Sequence, residues 1–316
     1  MKPLALPHCR RASYPANLPA ARFASSIQTE DAAGCAIAIL GLPDDLGVRL
    51  NNGRPGARKG PEAFRAALAC YGIGAPNECD LPRVVDAGDV EPVAGDDATA
   101  LSNTHYLVSD AAETLSRAGL LVVGIGGGHD LTYPLVRGVF RARGRLPLPG
   151  VYFDAHLDVR ETVGSGMAFR KLMEEQIASS LRIAGYNPLV NHRDHTDWFL
   201  DHFGTIAPAD SDPLGGLATS GSFVSVDLDV IDMSAAPGVS APNPAGMMPA
   251  MLSEHLRRLG THAPQPQRRP QERRDGRAAQ SPGGTPWIPR PHALAASWGL
   301  PRAGRRAQGR PQQDDA

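Results

Sequence analysis

The sequence predicts an α/β protein of three layers, in which helices cover both faces of a mainly parallel sheet. Short apolar runs alternate along the chain with longer amphipathic stretches, the pattern of a parallel sheet with helical crossovers. With 316 residues and 42% hydrophobic content, the chain can bury a sizeable core. Three clusters of acidic and histidine residues each follow an apolar run, where parallel sheets collect functional groups.

The elements are expected in alternating order from residue 35 onward. The predicted strands are 35–40 (CAIAIL), 120–126 (LLVVGIG), 150–153 (GVYF), 179–187 (SSLRIAGYN) and 222–232 (SFVSVDLDVID). The predicted helices are one that opens near Pro61 after a glycine-rich loop, then 104–119, 131–143, 167–176, 193–203 and 249–260. We therefore expect an N-terminal extension over 1–30 and one α/β domain over 31–260.

Residues 261–316 form a tail of different composition. From Ala263 onward this tail is rich in Pro, Arg, Gln and Gly and contains no Val, Phe, Tyr or Lys. Such a segment has too little apolar surface to offset its ordering entropy, so disorder is predicted. We hypothesise that a shift of reading frame near 260–265 replaced the native ending, which resequencing of independent clones would test. Its ten arginines could contact phosphates, so a tail that binds nucleic acid stays an alternative, although the arginines lack the aromatic interleaving typical of such segments.

Composition argues for a small-molecule substrate. The net charge of -1 and the pI of about 6.8 give no reason to expect nucleic acid or an anionic membrane as partner. No segment approaches the ~20 apolar residues of a membrane span, and prolines and arginines interrupt any secretory signal at the start. The four cysteines include no CxxC pair. These features predict a cytoplasmic protein with reduced thiols.

The three clusters together predict a site for two metal ions. They are GGGHD at 126–130, DAHLD at 154–158 and SVDLD at 225–229. In a straight strand, Asp154 and Asp158 would lie ~13 Å apart, so the chain must bend for both to reach one ion. Four carboxylates with His129 and His156 form a hard donor set that suits manganese. Two such ions could share a bridging water and activate it as a nucleophile.

Other interpretations of these motifs are weaker. A single aspartate at a strand end is usually a turn former or a helix cap, but this explanation does not account for the whole set. The glycines of GIGGGHD fit neither common phosphate-binding pattern. The acidic and histidine group at 192–202 is interpreted as a solvated helix face.

These motifs resemble those of the arginase, agmatinase and formimidoylglutamase family of manganese ureohydrolases, over roughly residues 35–255. The resemblance includes the first loop, GLPDDLGVRLNNGRPGARKGP, and the segment that follows the third metal motif. It implies an arginase-like fold and two Mn²⁺ ions. The first ion would be bound by His129, Asp154, Asp158 and Asp227, and the second by Asp154, His156, Asp227 and Asp229.

The resemblance also implies roles for further residues. Asp158 would carry a proton to the leaving amine, and Asp232 would orient the ligands. The stretch SGMAFRKL after the second metal motif resembles that of formimidoylglutamases and lacks the histidine of arginases. We therefore expect hydrolysis of N-formimidoyl-L-glutamate to L-glutamate and formamide, a step of histidine degradation. The alternatives are an agmatinase or other guanidino hydrolase that releases urea, and a metal-binding protein without activity.

The residues expected to contact substrate come from two loops. Ser165 and Gly166 would lie beside the substrate, and Arg170 or Arg160 would pair with its carboxylate. Ordinary structural roles are equally open for these residues. The same holds for three residues of the first loop, namely Asn51, Asn52 and Arg54.

The chain departs from the family beyond the third motif. Family members continue into another core strand with a glutamate-proline sequence and then a final helix, and neither is found in this sequence. We therefore expect an incomplete C-terminal part with unpaired sheet edges and exposed apolar surface. The family also suggests a homo-oligomer.

Overall fold

A computed structural model describes residues 6–73, 81–207 and 221–262 of the chain. The strands are β1 (Cys9–Arg10), β2 (Ile37–Gly41), β3 (Val84–Val90), β4 (Leu121–Ile125), β5 (Leu148–Phe153), β6 (Ala178–Ala184), β7 (Gly204–Ala207) and β8 (Phe223–Val226). The helices are α1 (Leu46–Leu50), α2 (Gly60–Leu68), α3 (Ala98–Arg117), α4 (Thr132–Ala142), α5 (Ala168–Glu174), α6 (Arg193–Asp201) and α7 (Pro249–His262). The predictions for the tail beyond 262 and for Cys79 lie outside the described residues.

The strands form two four-stranded sheets, in the orders β1-β3-β2-β4 and β7-β6-β5-β8. Every pairing is parallel except that of β1 with β3. Successive side chains of a strand point to opposite faces: in β5, Tyr152 packs with the cluster that contains α5, whereas Phe153 packs with α7. Likewise Leu40 packs with α3 and Ile39 with the residues before β2. The predicted three-layer α/β architecture is confirmed.

The element order is largely as predicted, and the main omission is β3. The sequence of β3, VVDAGDV, lacks an apolar run because Asp86 and Asp89 interrupt it. Both carboxylates are nevertheless buried, because the guanidinium of Arg65 pairs with them from α2. The short β7 and α1 were also not predicted. The predicted strand 222–232 is shorter in the structure, ending at Val226.

The described part of the N-terminal extension packs on the domain. β1 pairs with β3, and Arg10 forms an ion pair with Asp89 at 3.3 Å. The Tyr14 hydroxyl donates a hydrogen bond to Asp86 at 2.7 Å. The extension therefore covers the outer edge of the first sheet. No helix within the described ranges is both long and apolar enough to span a bilayer.

Each sheet ends on a strand that is hydrogen-bonded on one side only within the described residues, β4 in the first sheet and β8 in the second. Apolar side chains on these edges are exposed: Leu121 by 64% and Val224 by 44%. α7 packs on the face of the second sheet that carries Phe153 of β5 and Val226 of β8. The unpaired edges expected from the sequence are thus observed in this part of the chain.

We predict that these edges make the protein prone to aggregation. The double variant Leu121→Lys/Val224→Lys should aggregate severalfold more slowly at 37 °C, because charge on an edge strand opposes pairing with another chain. Light scattering would measure this rate. The matched control is Leu189→Lys, since Leu189 is 91% exposed in a loop. An equal slowing by the control would contradict the edge explanation.

Candidate metal centre

The three acidic and histidine clusters converge at the carboxyl ends of β4, β5 and β8. His129 follows β4 after three glycines, of which Gly127 is required because a Cβ there would collide with the carbonyl oxygen of Asp44. Asp154 directly follows β5 and Asp227 directly follows β8, which pairs with β5. The Nε2 of His129 lies 2.9 Å from the Ser225 hydroxyl on β8. The ends of the two sheets therefore meet at His129.

The chain bends sharply through the DAHLD motif, as predicted. The carboxylate of Asp154 accepts a hydrogen bond from the backbone N–H of His156 at 2.7 Å. Asp158 has a left-handed φ of 49°, a conformation rare for residues other than glycine and frequent at functional sites. The bend brings Asp154 and Asp158 together, with one carboxylate oxygen of each within 3.0 and 2.9 Å of His129 Nδ1.

The donor atoms form two groups that share one residue. The first group is His129, Asp154 and Asp158, and the second is Asp154, His156 and Asp229, with the donor atoms of each group within 4.8 Å of one another. In the second group, His156 Nδ1 lies 3.1 Å from Asp229. Asp227 borders the first group, 3.3 Å from His129 Nδ1. Asp154 is thus the residue that belongs to both groups.

The polar atoms of the cluster fit a cation. His129 Nδ1 carries at most one N–H, which the Asp158 carboxylate accepts, although two further carboxylates lie within 3.3 Å. Buried oxygens of Asp154 and Asp229 have no hydrogen-bond donor. Buried carboxylates without donors carry a large desolvation cost unless a cation compensates them. These carboxylates and imidazoles could therefore hold two hard divalent ions.

The same crowding shifts the pKa values of the cluster. Burial and the nearby Asp158 charge raise the pKa of Asp154 to about 7. Hydrogen bonds to Asp154 and Asp229 raise the pKa of His156 to about 11. Burial opposes charge on His129, but the nearby carboxylates of Asp154, Asp158 and Asp227 outweigh this effect and raise its pKa well above the usual range. Without a metal ion, these shifts therefore favour the protonated form of both imidazoles.

We predict that manganese binding at pH 7 releases protons and strengthens as the pH rises. A ligand imidazole must be neutral, so a bound ion displaces the protons that the raised pKa values keep on His129 and His156. Affinity should increase by about tenfold per pH unit for each proton released. Calorimetry in two buffers of different ionisation enthalpy would count the protons. A binding enthalpy that is independent of the buffer would contradict this prediction.

The loop with Ser165 and Gly166 is held by Asn51, at the end of α1. With its amide oxygen directed at the loop, Asn51 accepts hydrogen bonds from the backbone N–H groups of Gly166 at 2.8 Å and Ser165 at 3.2 Å. Gly164 has a φ of 156°, and a Cβ there would collide with the Asn51 side chain. The first loop and the loop after the second metal motif therefore form one unit.

The structure assigns different roles to the other residues of the first loop. Asn52, predicted as a substrate contact, is exposed and has a φ of 57°, which asparagine tolerates in turns. This conformation is that of a turn residue, and its role as a substrate contact stays a prediction, whereas Asn51 is the asparagine that contacts the loop of Ser165. Arg54 donates to the backbone carbonyls of Pro237 and Val239. Its guanidinium thus ties the first loop to the loop after the third metal motif.

Arg170 and Asp232 are engaged away from the cluster. The Arg170 guanidinium pairs with Glu174 at 2.8 Å and Glu161 at 2.9 Å, and lies over the Trp198 ring. Its charge is compensated, so the expected pairing with a substrate carboxylate has no support in this geometry. The Asp232 carboxylate accepts bonds from the N–H and hydroxyl of Ser234, which lower its pKa. Asp232 is a turn former in this structure, and its orienting role stays a prediction.

We predict that Asn51→Ala lowers kcat/KM by about ten- to a hundredfold without changing the number of manganese ions bound. The substitution removes two hydrogen bonds, each worth about 1 kcal/mol, that position Ser165 and Gly166. Steady-state kinetics and metal analysis of the same samples would measure both quantities. Asn52→Ala is the matched control and should keep most of the activity. Equal losses of kcat/KM in the two variants would show that the contact of Asn51 with the Ser165 loop is not what activity requires.

Sequence reasoning missed a buried pair behind His129. His105 on α3 lies 2.8 Å from the Asp130 carboxylate, and both side chains are buried. Ser225, beside His129, was also not singled out. A histidine inside an amphipathic helix gives no signal of its partner 25 residues away. The group at 192–202 forms the exposed side of α6, and no donor set with metal-binding spacing occurs there in the described part of the chain.

The chain is similar in sequence and in structure to an amidinohydrolase and to formimidoylglutamases. The chain is 31% identical to proclavaminate amidinohydrolase of Streptomyces clavuligerus, over 73% of this chain and 78% of that protein. It is 32% identical to a formimidoylglutamase of Geobacillus kaustophilus, over 74% and 75% of the two chains. The crystal structure of Trypanosoma cruzi formiminoglutamase with Mn²⁺ superposes with a TM-score of 0.65 at 28% identity, covering 76% of this chain and 84% of that one.

The region matched by a family model includes all three metal motifs and both loops that meet at them. The model is that of the arginase family, and it matches residues 35–265. The chain therefore belongs to the arginase family of hydrolases, which act on amidines.

Proposed function

We propose that the protein is a manganese-dependent hydrolase that converts N-formimidoyl-L-glutamate and water to formamide and L-glutamate. The observation that carries the proposal is the pair of donor groups sharing Asp154, with the Asn51-anchored loop of Ser165 and Gly166 following the same metal motif. That loop has no histidine. Several relatives of about 30% identity are formimidoylglutamases, which supports this substrate.

Residues His129, Asp154, Asp158, His156, Asp227 and Asp229 would hold two Mn²⁺ ions. These ions would supply an activated water for attack on the amidine carbon. The C–N bond to the glutamate nitrogen then breaks, and that nitrogen needs a proton to leave as an amine. We assign this proton transfer to Asp158, because its carboxylate belongs to the first donor group and is 14% exposed.

Substrate recognition would come from the loop that Asn51 anchors. Ser165 and Gly166 would contact the substrate, and Arg160 in the same loop is the candidate partner for a substrate carboxylate. Arg160 is exposed, and within the described ranges no carboxylate pairs with it. This leaves its planar fork available for a carboxylate.

Two other functions have specific support. The similarity to proclavaminate amidinohydrolase favours, as a second candidate, a guanidino hydrolase that releases urea. The open edges of β4 and β8 favour a metal-binding protein without turnover, because an incomplete sheet can leave the substrate pocket incomplete. In each case we propose residues 31–260 as the metal-binding domain, flanked by the 1–30 extension and the 261–316 tail. The cytoplasmic location and the homo-oligomer stay predictions.

The deciding experiment assays the purified full chain, loaded with manganese, on N-formimidoyl-L-glutamate, agmatine and arginine. Formamide from the first substrate would support the proposal, whereas urea from either of the others would move the assignment to the guanidino hydrolases. Metal content is measured on the same samples. Two bound ions without turnover of any substrate would favour the inactive metal-binding protein.

A further inference from the structure

A cavity lies between α3, α4 and α5, and none of the proposed metal ligands lines it. Its volume is about 500 Å³. Four basic side chains and one acidic side chain line it, namely Arg137, Arg141, Arg145, Lys171 and Glu175. Aromatic rings of Tyr106, Tyr133 and Phe140 form part of the wall. The cavity therefore combines an excess of positive charge with apolar surface.

Arg137 is the fixed cation of this cavity. Its guanidinium donates to the Ser109 hydroxyl at 2.9 Å, the Tyr133 hydroxyl at 2.9 Å and the backbone carbonyl of His105 at 3.0 Å. It also lies 4.9 Å and 4.8 Å from the ring centres of Tyr106 and Tyr133. A guanidinium has five N–H donors, so two remain for a ligand.

The charge of Arg137 has no direct counter-ion in the part of the chain that the structure describes. The three acceptors are neutral, and the carboxylate of Glu175 is reached only through the Tyr133 hydroxyl, which donates to it at 2.7 Å. A partly buried cation without a carboxylate is costly unless an anion joins it. The planar guanidinium of Arg137, which these hydrogen bonds hold in place, suits a carboxylate or a phosphate.

The rim adds positive charge that is weakly compensated. Lys171 lies 4.0 Å from its nearest carboxylate, that of Glu174. Arg145 is exposed and has no ion pair among the described residues. Arg141 by contrast pairs with Asp110 at 3.1 Å. The side chains of Arg145 and Lys171 can therefore reorient to contact a ligand bound in the cavity.

We propose that this cavity binds a small organic anion, whose carboxylate or phosphate head contacts Arg137 and the rim cations while its body packs on the tyrosine rings. The site is separate from the metal centre but connected to it. Arg137 holds the carbonyl of His105, and the ring of His105 holds Asp130, the neighbour of His129. Val163 and Met167, which flank Ser165, also line the cavity. A bound anion would thus order the loop that carries Ser165.

Binding is tested by calorimetry on the full chain, with and without manganese, at constant ionic strength set by NaCl. The probes are benzoate and phenyl phosphate, which share a planar body and differ in the head group. We expect saturable binding both with and without manganese. The probe that binds with the higher affinity shows whether the site prefers a carboxylate or a phosphate head group. Hydrogen exchange of the amides at 163–167 should slow when the probe binds.

Variants separate this site from adventitious binding. Arg145→Gln/Lys171→Gln should weaken binding by about tenfold or more, whereas Arg193→Gln, an exposed cation on α6, should not change it. Arg137→Lys keeps the charge but loses the fork, and should weaken binding as well. Equal affinity in the rim variant and the Arg193→Gln control, or no saturation by either probe, would overturn the proposal.

Discussion

Replacing Asp154 by asparagine is expected to abolish turnover and, in the metal-free protein, to raise thermal stability. The two effects have one cause. Asp154 is completely buried, belongs to both donor groups and has an oxygen without a hydrogen-bond donor. Bound metal ions would compensate its negative charge, which is unfavourable without them.

The loss of activity should be on the order of a thousandfold or more, because the residue shared by both donor groups would position both ions, and metal catalysis contributes several kcal/mol. The gain in stability follows from charge. Burial and the nearby Asp158 charge disfavour the ionised carboxylate of Asp154 in the metal-free protein, and asparagine removes that charge. We expect a gain on the order of 1–3 kcal/mol at pH 8.

The pH dependence of the stability gain has a defined sign. The folded-state pKa of Asp154 is raised to about 7, above its unfolded value. Relative to its ionised form, protonated Asp154 therefore favours the folded state at low pH, and this contribution is lost as pH rises through about 7. The advantage of Asp154→Asn over the parent protein should accordingly be small at pH 4 and increase toward pH 8.

Thermal unfolding with chelator and with manganese, at pH 4, 6 and 8, would measure these effects. In the parent protein manganese should raise the Tm, and in Asp154→Asn this rise should be largely lost. Asp197→Asn, which removes an exposed carboxylate on α6, is the control for charge alone. A metal-free Asp154→Asn protein that is less stable than the parent at pH 8 would contradict this account of the cluster.

The sequence was sufficient to predict that these acidic and histidine side chains converge, because they lie next to regular strands. An apolar run fixes where a strand ends, and parallel strands bring their ends to one edge, so His129, Asp154 and Asp229 meet although 100 residues separate the first from the last. The bend at Asp158 also followed from distance alone. Local pattern and chain geometry determine these features.

The direction of individual side chains and their pairing with distant residues could not be predicted from the sequence in the same way. Whether Asn51 or Asn52 faces the site depends on a left-handed turn that either asparagine could adopt. Arg170 was expected to bind substrate, but its partners Glu161 and Glu174 flank it on the helix and loop that it packs against. The strand β3 escaped prediction because its carboxylates are buried only through an arginine on another element. Such features depend on tertiary contacts.

The largest loss of stability is expected from Arg65→Met. The Arg65 guanidinium donates two hydrogen bonds to Asp86, at 2.8 and 2.9 Å, and one to Asp89 at 2.6 Å. The three side chains are 5%, 0% and 11% exposed. Methionine fills similar space but leaves two buried carboxylates without their shared cation, which typically costs about 3–5 kcal/mol. This is a large share of the roughly 5–15 kcal/mol by which proteins are stable.

Urea unfolding of the metal-free protein, followed by circular dichroism, would measure this loss. Arg117→Met is the matched control, because its pair with Glu113 lies on the exposed surface of α3 and should contribute at most about 1 kcal/mol. Adding Asp86→Asn to Arg65→Met should recover part of the loss, since the amide needs no counter-ion. Equal effects of Arg65→Met and Arg117→Met would mean that Asp86 and Asp89 gain protons or water at little cost. In that case, β3 would not need its pairing with Arg65 to remain in the sheet with two buried carboxylates.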